Sequence, residues 1–188
     1  MAFYGAGVEY ALHTLLNLSL APIGTAPSAR DLAEFQRLPV PFMRKLLTQL
    51  EKAGLIAGSE GVRGGWRLAR DPAEMTVLEI AEAVQGREPL FDCREIRARC
   101  VLWSVDAPPP AATSGVCSIH AVMLAAEGAM RRELAAHTLA QIAERVSAKS
   151  SLEGAAAIPA WFAGRYAGRR TSSARTKREE AAREGGHL

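Results

Sequence analysis

Residues 39–72 read PVPFMRKLLTQLEKAGLIAGSEGVRGGWRLARDP, and the order of signals within them decides the fold. Pro41 stands at or near a helix start, Phe42, Leu46, Leu47 and Leu50 recur on one side, and Gly54 follows as a stop. That is the punctuation of an amphipathic helix. Leu55 and Ile56 then begin a strand, GVRGG forms a glycine-rich tip, and Trp66 to Leu68 begin the return. Two short apolar runs around such a tip make a hairpin. A helix followed at once by a hairpin is the reading half of a winged helix-turn-helix.

The flanks complete the unit. Upstream, residues 8–20 carry an apolar stripe of Val8, Leu12, Leu15 and Leu16, and APIGTAP makes a loop. Ser28 is placed to cap a helix over ARDLAEFQR. Downstream, Thr76 and Glu79 form a T-x-x-E capping box that opens VLEIAEAVQG. The expected fold is mostly α: a winged helix-turn-helix DNA-binding domain over 1–86 with a small two-stranded wing.

From 87 to 116 the periodicity fails. This stretch holds Cys93, Cys100 and the spacer PPP at 108–110, and it reads as a long functional loop. Over 117–146 a helical pattern returns. Val116, Ile119, Met123, Ala126, Met130 and Leu134 fall at steps of three and four, with alanines that permit close approach of a second helix. The expectation is a long dimerisation helix; packing on its own domain is the plainer alternative. HTLAQIAERV follows as a short helix capped by Thr138. Residues 147–188 are small, polar and charged, and a disordered tail is expected, with IPAWFAGRY the one stretch able to dock.

Composition bounds the function. The 188 residues are 48% hydrophobic and 23% charged, with a net charge of +3 and a pI near 9.0. These values fit a soluble globular protein and permit nucleic-acid binding without requiring it. MAFYGAGVEY lacks a basic n-region and a cleavage pattern, and no apolar run is long enough for a bilayer. A cytoplasmic protein without membrane contact is expected. No G-x-G-x-x-G, P-loop or Ser/His/Asp arrangement is present, which argues against an enzyme.

The helix from Pro39 presents Arg44, Lys45 and Thr48, with Val40 and Pro41 at its leading end. Such a helix enters the major groove. Arg63 sits between glycines at the wing tip, Arg67 and Arg70 flank it, and Arg30 and Arg37 add further phosphate contacts. The alternative is a set of solvated charges on a protein-binding winged helix.

Three cysteines in a chain expected to stay reduced point away from disulfides and toward metal, cluster or redox chemistry. Their spacing, C-x6-C-x16-C, fits no common zinc pattern, whereas thiolate-held iron–sulfur clusters tolerate irregular loops and accept imidazole in place of thiolate. His120 lies three residues after Cys117, and Glu9 and His13 stand one turn apart on the first helix. An i,i+4 acid–imidazole pair is either a solvated surface pair or half of a metal site.

The order of elements, the wing GVRGGWRLARDP, the segment TVLEIAEAVQG and the cysteine loop resemble the Rrf2 family of bacterial winged-helix transcriptional regulators, over roughly residues 1 to 146. The family resemblance implies a homodimer seamed by the helix after the cysteine loop, binding double-stranded operator DNA. GVEYALH, FDCREIRAR and CSIHAVMLAAE resemble the RsrR-like redox-sensing branch. That likeness implies a [2Fe–2S] cluster shared between subunits, with Cys93 and Cys117 from one chain and Glu9 and His13 from its partner. Tyr10 stands where that branch has a tryptophan. The three cysteines also resemble the IscR and NsrR branches, which implies instead a three-cysteine cluster, [4Fe–4S] included, answering nitric oxide or iron status. Beside the set Glu9, His13, Cys93 and Cys117, the reserve ligands are Cys100 and His120. A cluster-free winged-helix interaction protein is the third reading.

Overall fold

A computed structural model describes residues 3–61, 64–103, 106–151, 153–154 and 156–169. The elements run α1 (Ala6–Leu20), α2 (Ala29–Phe35), α3 (Val40–Lys52), β1 (Ile56–Ser59), β2 (Gly65–Leu68), α4 (Val77–Gln85), α5 (Pro110–Thr113), α6 (Ser118–Ala135) and α7 (Leu139–Lys149). A further helix, α8, covers 156–169. Short 3-10 turns lie at Pro72–Glu74 and Ile96–Arg99.

The winged helix-turn-helix forms where local chemistry demands it. Ser28 and Asp31 make a reciprocal capping box at α2, so two orphan N–H groups are satisfied at the helix start. Val40 and Pro41 open α3, and Gly54 adopts a φ of 71° after its last turn, a region that costs glycine nothing. At α4 the Thr76 hydroxyl accepts from the Glu79 N–H. Only that half of the expected box forms, because the Glu79 carboxylate pairs with Arg70 at 2.5 Å.

Strands β1 and β2 pair antiparallel with Ile56 opposite Leu68 and Ser59 opposite Gly65. The wing is fastened to the rest of the fold at its base. The Trp66 N–H donates to the Pro27 carbonyl at 2.9 Å, and a Cβ on Gly65 would stand 2.1 Å from the Ala26 oxygen. Gly65→Ala must therefore push two backbone segments apart and break that bond. Overpacking of this kind costs about 1–3 kcal/mol, measurable as a fall in the urea midpoint; an unchanged midpoint would show that the wing base yields freely.

Leu15, Leu32, Met43, Leu47, Leu50, Leu55, Met75 and Ile80 are buried in one core with Leu139 of α7. The α7 start is stitched to α4, with Val77 N–H donating to His137 O and Leu139 N–H to Met75 O, both at 2.9 Å. α6 buries no residue, and it leaves Ile119, Val122 and Leu124 66%, 68% and 48% exposed. It touches its own domain mainly through the ion pair of Arg131 with Glu82 on α4.

The stretch able to dock, IPAWFAGRY, lies within residues 156–169. Those residues are helical, and Phe162 is 1% exposed within the core. Its ring lies 5.0 Å from those of Phe35 and Trp161. Apolar burial of two aromatic rings outweighs the small and polar residues around them. Residues 170–188 lie outside the described residues. No helix among the described residues is long and apolar enough to cross a membrane.

Candidate functional site

On α1, Glu9 and His13 are both exposed, and neither has a hydrogen bond or ion pair to another described residue. They line a groove of about 590 Å³ whose remaining wall is apolar, with Val8, Leu12 and Leu16 of α1 and Ile142 and Val146 of α7. Between them Tyr10 packs its ring edge-on against Phe42 of α3, 5.6 Å between centroids. α1 thus bears an acid–imidazole pair on one side and touches the reading helix on the other.

The loop from 87 to 116 is organised by Arg97, which sequence reasoning missed. Its guanidinium grips both Glu95 oxygens, at 2.5 and 2.9 Å, and donates to Gly115 O at 3.0 Å and Thr113 O at 3.4 Å. One side chain thereby ties the middle of the loop to its C-terminal end, beside Glu95, which adopts a left-handed conformation with φ of 46°. The hydrogen bond from Arg97 holds the Glu95 carboxyl below the usual carboxylate range, with the nearby Arg97 and His120 charges adding to it. A lowered carboxylate pKa keeps the pair closed through the ordinary range, opening it only at lower pH. The Arg97 charge is reinforced in turn, first by the Glu95 hydrogen bond, and beyond it by Glu95, Cys117 and Cys93 through space. Cys93 and Cys117, far apart in sequence, therefore lie within electrostatic reach of the same guanidinium. The arginines within FDCREIRAR were the signal that could have found it.

All three cysteines are free and half-buried. Cys100 ends the turn at Ile96–Arg99. His120 on α6 sits 6.0 Å from the Phe91 ring. Among the described residues of one chain, no three His, Cys, Asp or Glu side chains gather as a metal site. Within one chain, Cys93 and Cys117 are therefore not gathered with Glu9 and His13 into one such group.

Of the residues expected at DNA, Arg30, Pro41, Arg44, Lys45, Thr48 and Arg67 are exposed and Val40 is half-buried. Thr48 donates to Arg44 O at 3.0 Å. Arg37 is exposed with a φ of 54°, whereas Arg70 is engaged by Glu79. Arg63 lies outside the described residues.

A model of the Rrf2 family, described as an iron-dependent transcriptional regulator, matches residues 4–145. A putative HTH-type transcriptional regulator of Mycobacterium tuberculosis is 31% identical over 138 residues, 73% of this chain and 79% of that protein. The HTH-type regulator IscR of Aliivibrio salmonicida is 37% identical over 86 residues, 45% of this chain and 51% of that protein. The chain spans about half the length of some of the curated relatives it matches. Among solved structures, CymR, the global cysteine regulator of Bacillus subtilis, superposes with a TM-score of 0.59 at 20% identity, covering 77% of this chain and 98% of that one. Its likeness shows the winged-helix fold alone. With a family model spanning 4–145 and a mycobacterial relative alike over most of both chains, the protein belongs to the Rrf2 family of transcriptional regulators, which are DNA-binding proteins rather than enzymes.

Proposed function

We propose that this regulator senses redox state through a [2Fe–2S] cluster shared between two copies of the chain, with Cys93 and Cys117 from one and Glu9 and His13 from the other. The observation that carries the reading is the loop closure by Arg97, whose bonds to Thr113 and Gly115 bring the segment after Cys93 up to the segment before Cys117, with both cysteines within its electrostatic reach. The donor set fits: two half-buried thiols on a loop pinned by Arg97, and an exposed carboxylate and imidazole one turn apart with no described partner of their own. A cluster held there would supply a one-electron couple whose potential reflects mixed sulfur, oxygen and nitrogen ligation.

The chain's own residues carry the rest. Glu9 and His13 belong to α1, which meets α3 through Tyr10 and Phe42. Glu9 and His13 would hold the cluster on a helix packed against the reading helix, and a coupling of about 1–3 kcal/mol between the two would shift DNA affinity by roughly 5- to 150-fold. The exposed apolar face of α6, Ile119 and Val122 included, supports the dimer seam that brings two half-sites together. Double-stranded operator DNA is met by Arg30, Val40, Pro41, Arg44, Lys45 and Thr48, with Arg63 and Arg67 from the wing.

Salt-dependent binding to promoter duplex tests the DNA half of the reading. Arg67→Ala should weaken specific and non-specific duplex alike and lower the salt slope by about one. Arg63→Ala should cost about 1–3 kcal/mol on the specific duplex by loss of groove contacts. Full affinity in both variants would take the wing out of the interface.

A further inference from the structure

Helix α8 lies beyond residue 145, where the match to the family ends, and the reading above leaves it without a role. Its face toward the DNA-reading unit carries Arg165 and Arg169, one turn apart. Arg165 pairs with Glu34 and stands 3.5 Å from Asp31, both on α2. Arg169 reaches further. Its Nη1 donates to Gly64 O at 2.8 Å and its Nη2 to Ala26 O at 2.6 Å, with Asp31 at 3.4 Å.

Those two carbonyls belong to different parts of the DNA-reading unit. Gly64 is the residue before β2 in the wing, and Ala26 lies in the turn before the Ser28 cap of α2. A two-stranded hairpin is marginal on its own, and among the described residues the direct backbone tie at this base is the bond from Trp66 to Pro27. A guanidinium is a planar, always charged fork that bridges two acceptors at fixed spacing, and its hydrogen bonds are stronger than neutral ones. The Arg169 side chain is 24% exposed with both Nη atoms engaged, the posture of a strut rather than of a phosphate contact.

We propose that α8 braces the DNA-reading unit, and that Arg169 is the positioning residue that locks the wing to the turn before α2. The distance between wing and reading helix sets whether both can engage one duplex, so the brace acts on specific recognition. Arg165 holds α8 to α2 without touching the wing and serves as the internal control. The proposal rests on the family's DNA binding only for its affinity arm; wing exchange tests it without DNA.

The experiment uses the full chain, with the duplex that wild type enriches from a random-sequence pool as specific probe and poly(dI-dC) as non-specific probe. In Arg169→Ala, hydrogen exchange at the Trp66 amide should rise about ten-fold while Leu46 and Leu47 of α3 stay protected, the loss of roughly one charged hydrogen bond. Affinity for the enriched duplex should fall about ten-fold with poly(dI-dC) binding little changed, since a phosphate contact would have weakened both. Arg169→Lys, able to reach one carbonyl at a time, should recover part of both effects, and Arg165→Ala should leave wing exchange at the wild-type level. Unchanged exchange in Arg169→Ala overturns the brace. So does an equal loss on both DNAs, or an Arg165→Ala variant that loosens the wing as much. If wild type enriches no duplex, the DNA reading fails while the exchange result still decides the brace.

Discussion

Purified without oxygen, wild type is expected to be coloured with about two irons per subunit, Cys93→Ala and Cys117→Ala to be colourless, and Cys100→Ala to keep most of the colour. The reason is local geometry. Arg97 bonds Gly115, two residues before Cys117, with Cys93 and Cys117 within its electrostatic reach, and Cys100 follows the turn at Ile96–Arg99. Visible absorption and iron content read the result. If Cys100 proves as necessary as the other two, the three-cysteine site replaces the mixed one. The proposed division between subunits has its own test, because the four proposed ligands do not gather within one chain. A chain carrying Glu9→Ala and His13→Ala, mixed with one carrying Cys93→Ala and Cys117→Ala, should regain one coloured site per heterodimer. A colourless heterodimer, its formation shown by native mass, rejects shared ligation.

Phe162→Ala should be the most destabilising single change in the outer layer of the fold. The ring is 1% exposed and meets Phe35 at 5.0 Å. Removing a buried phenylalanine costs about 3–5 kcal/mol through lost transfer energy and the cavity left behind, which for a chain of this size lowers Tm by about 10 °C. Phe162→Leu, which keeps most of the volume, should cost under about 1.5 kcal/mol. Thermal unfolding read by circular dichroism separates the two, and a shift of less than about 2 °C for Phe162→Ala would mean α8 contributes little to the core.

The winged helix-turn-helix was legible because its signals are local. Ser28, Pro41, Gly54 and Thr76 each act within a turn of chain. Where two local signals competed, the reading failed in part: T-x-x-E promised a reciprocal box, but Arg70 claims the Glu79 carboxylate. α8 was less visible. Ile158, Trp161 and Phe162 are thinly spread among alanines and glycines, and what makes them core is Phe35, which no periodicity within the helix reveals. The candidate site divides in the same way. The Glu9–His13 pair is a spacing and could be read directly, whereas the approach of Cys93 and Cys117 to Arg97 depends on loop closure that C-x6-C-x16-C does not encode.

The docking of α8 also orders events in time. The contact of Arg165 with Glu34 joins residues 131 apart in sequence, and that of Arg169 with Ala26 joins residues 143 apart. Contacts of such separation form late, because the chain between them must first lose its freedom. In a chain made from its N-terminus, α2, α3 and the wing are complete well before the helix that covers the outer side of α2 exists. A newborn regulator therefore passes through an interval with its reading helix built and Phe35 bare, and reaches its finished DNA-reading shape only when α8 arrives.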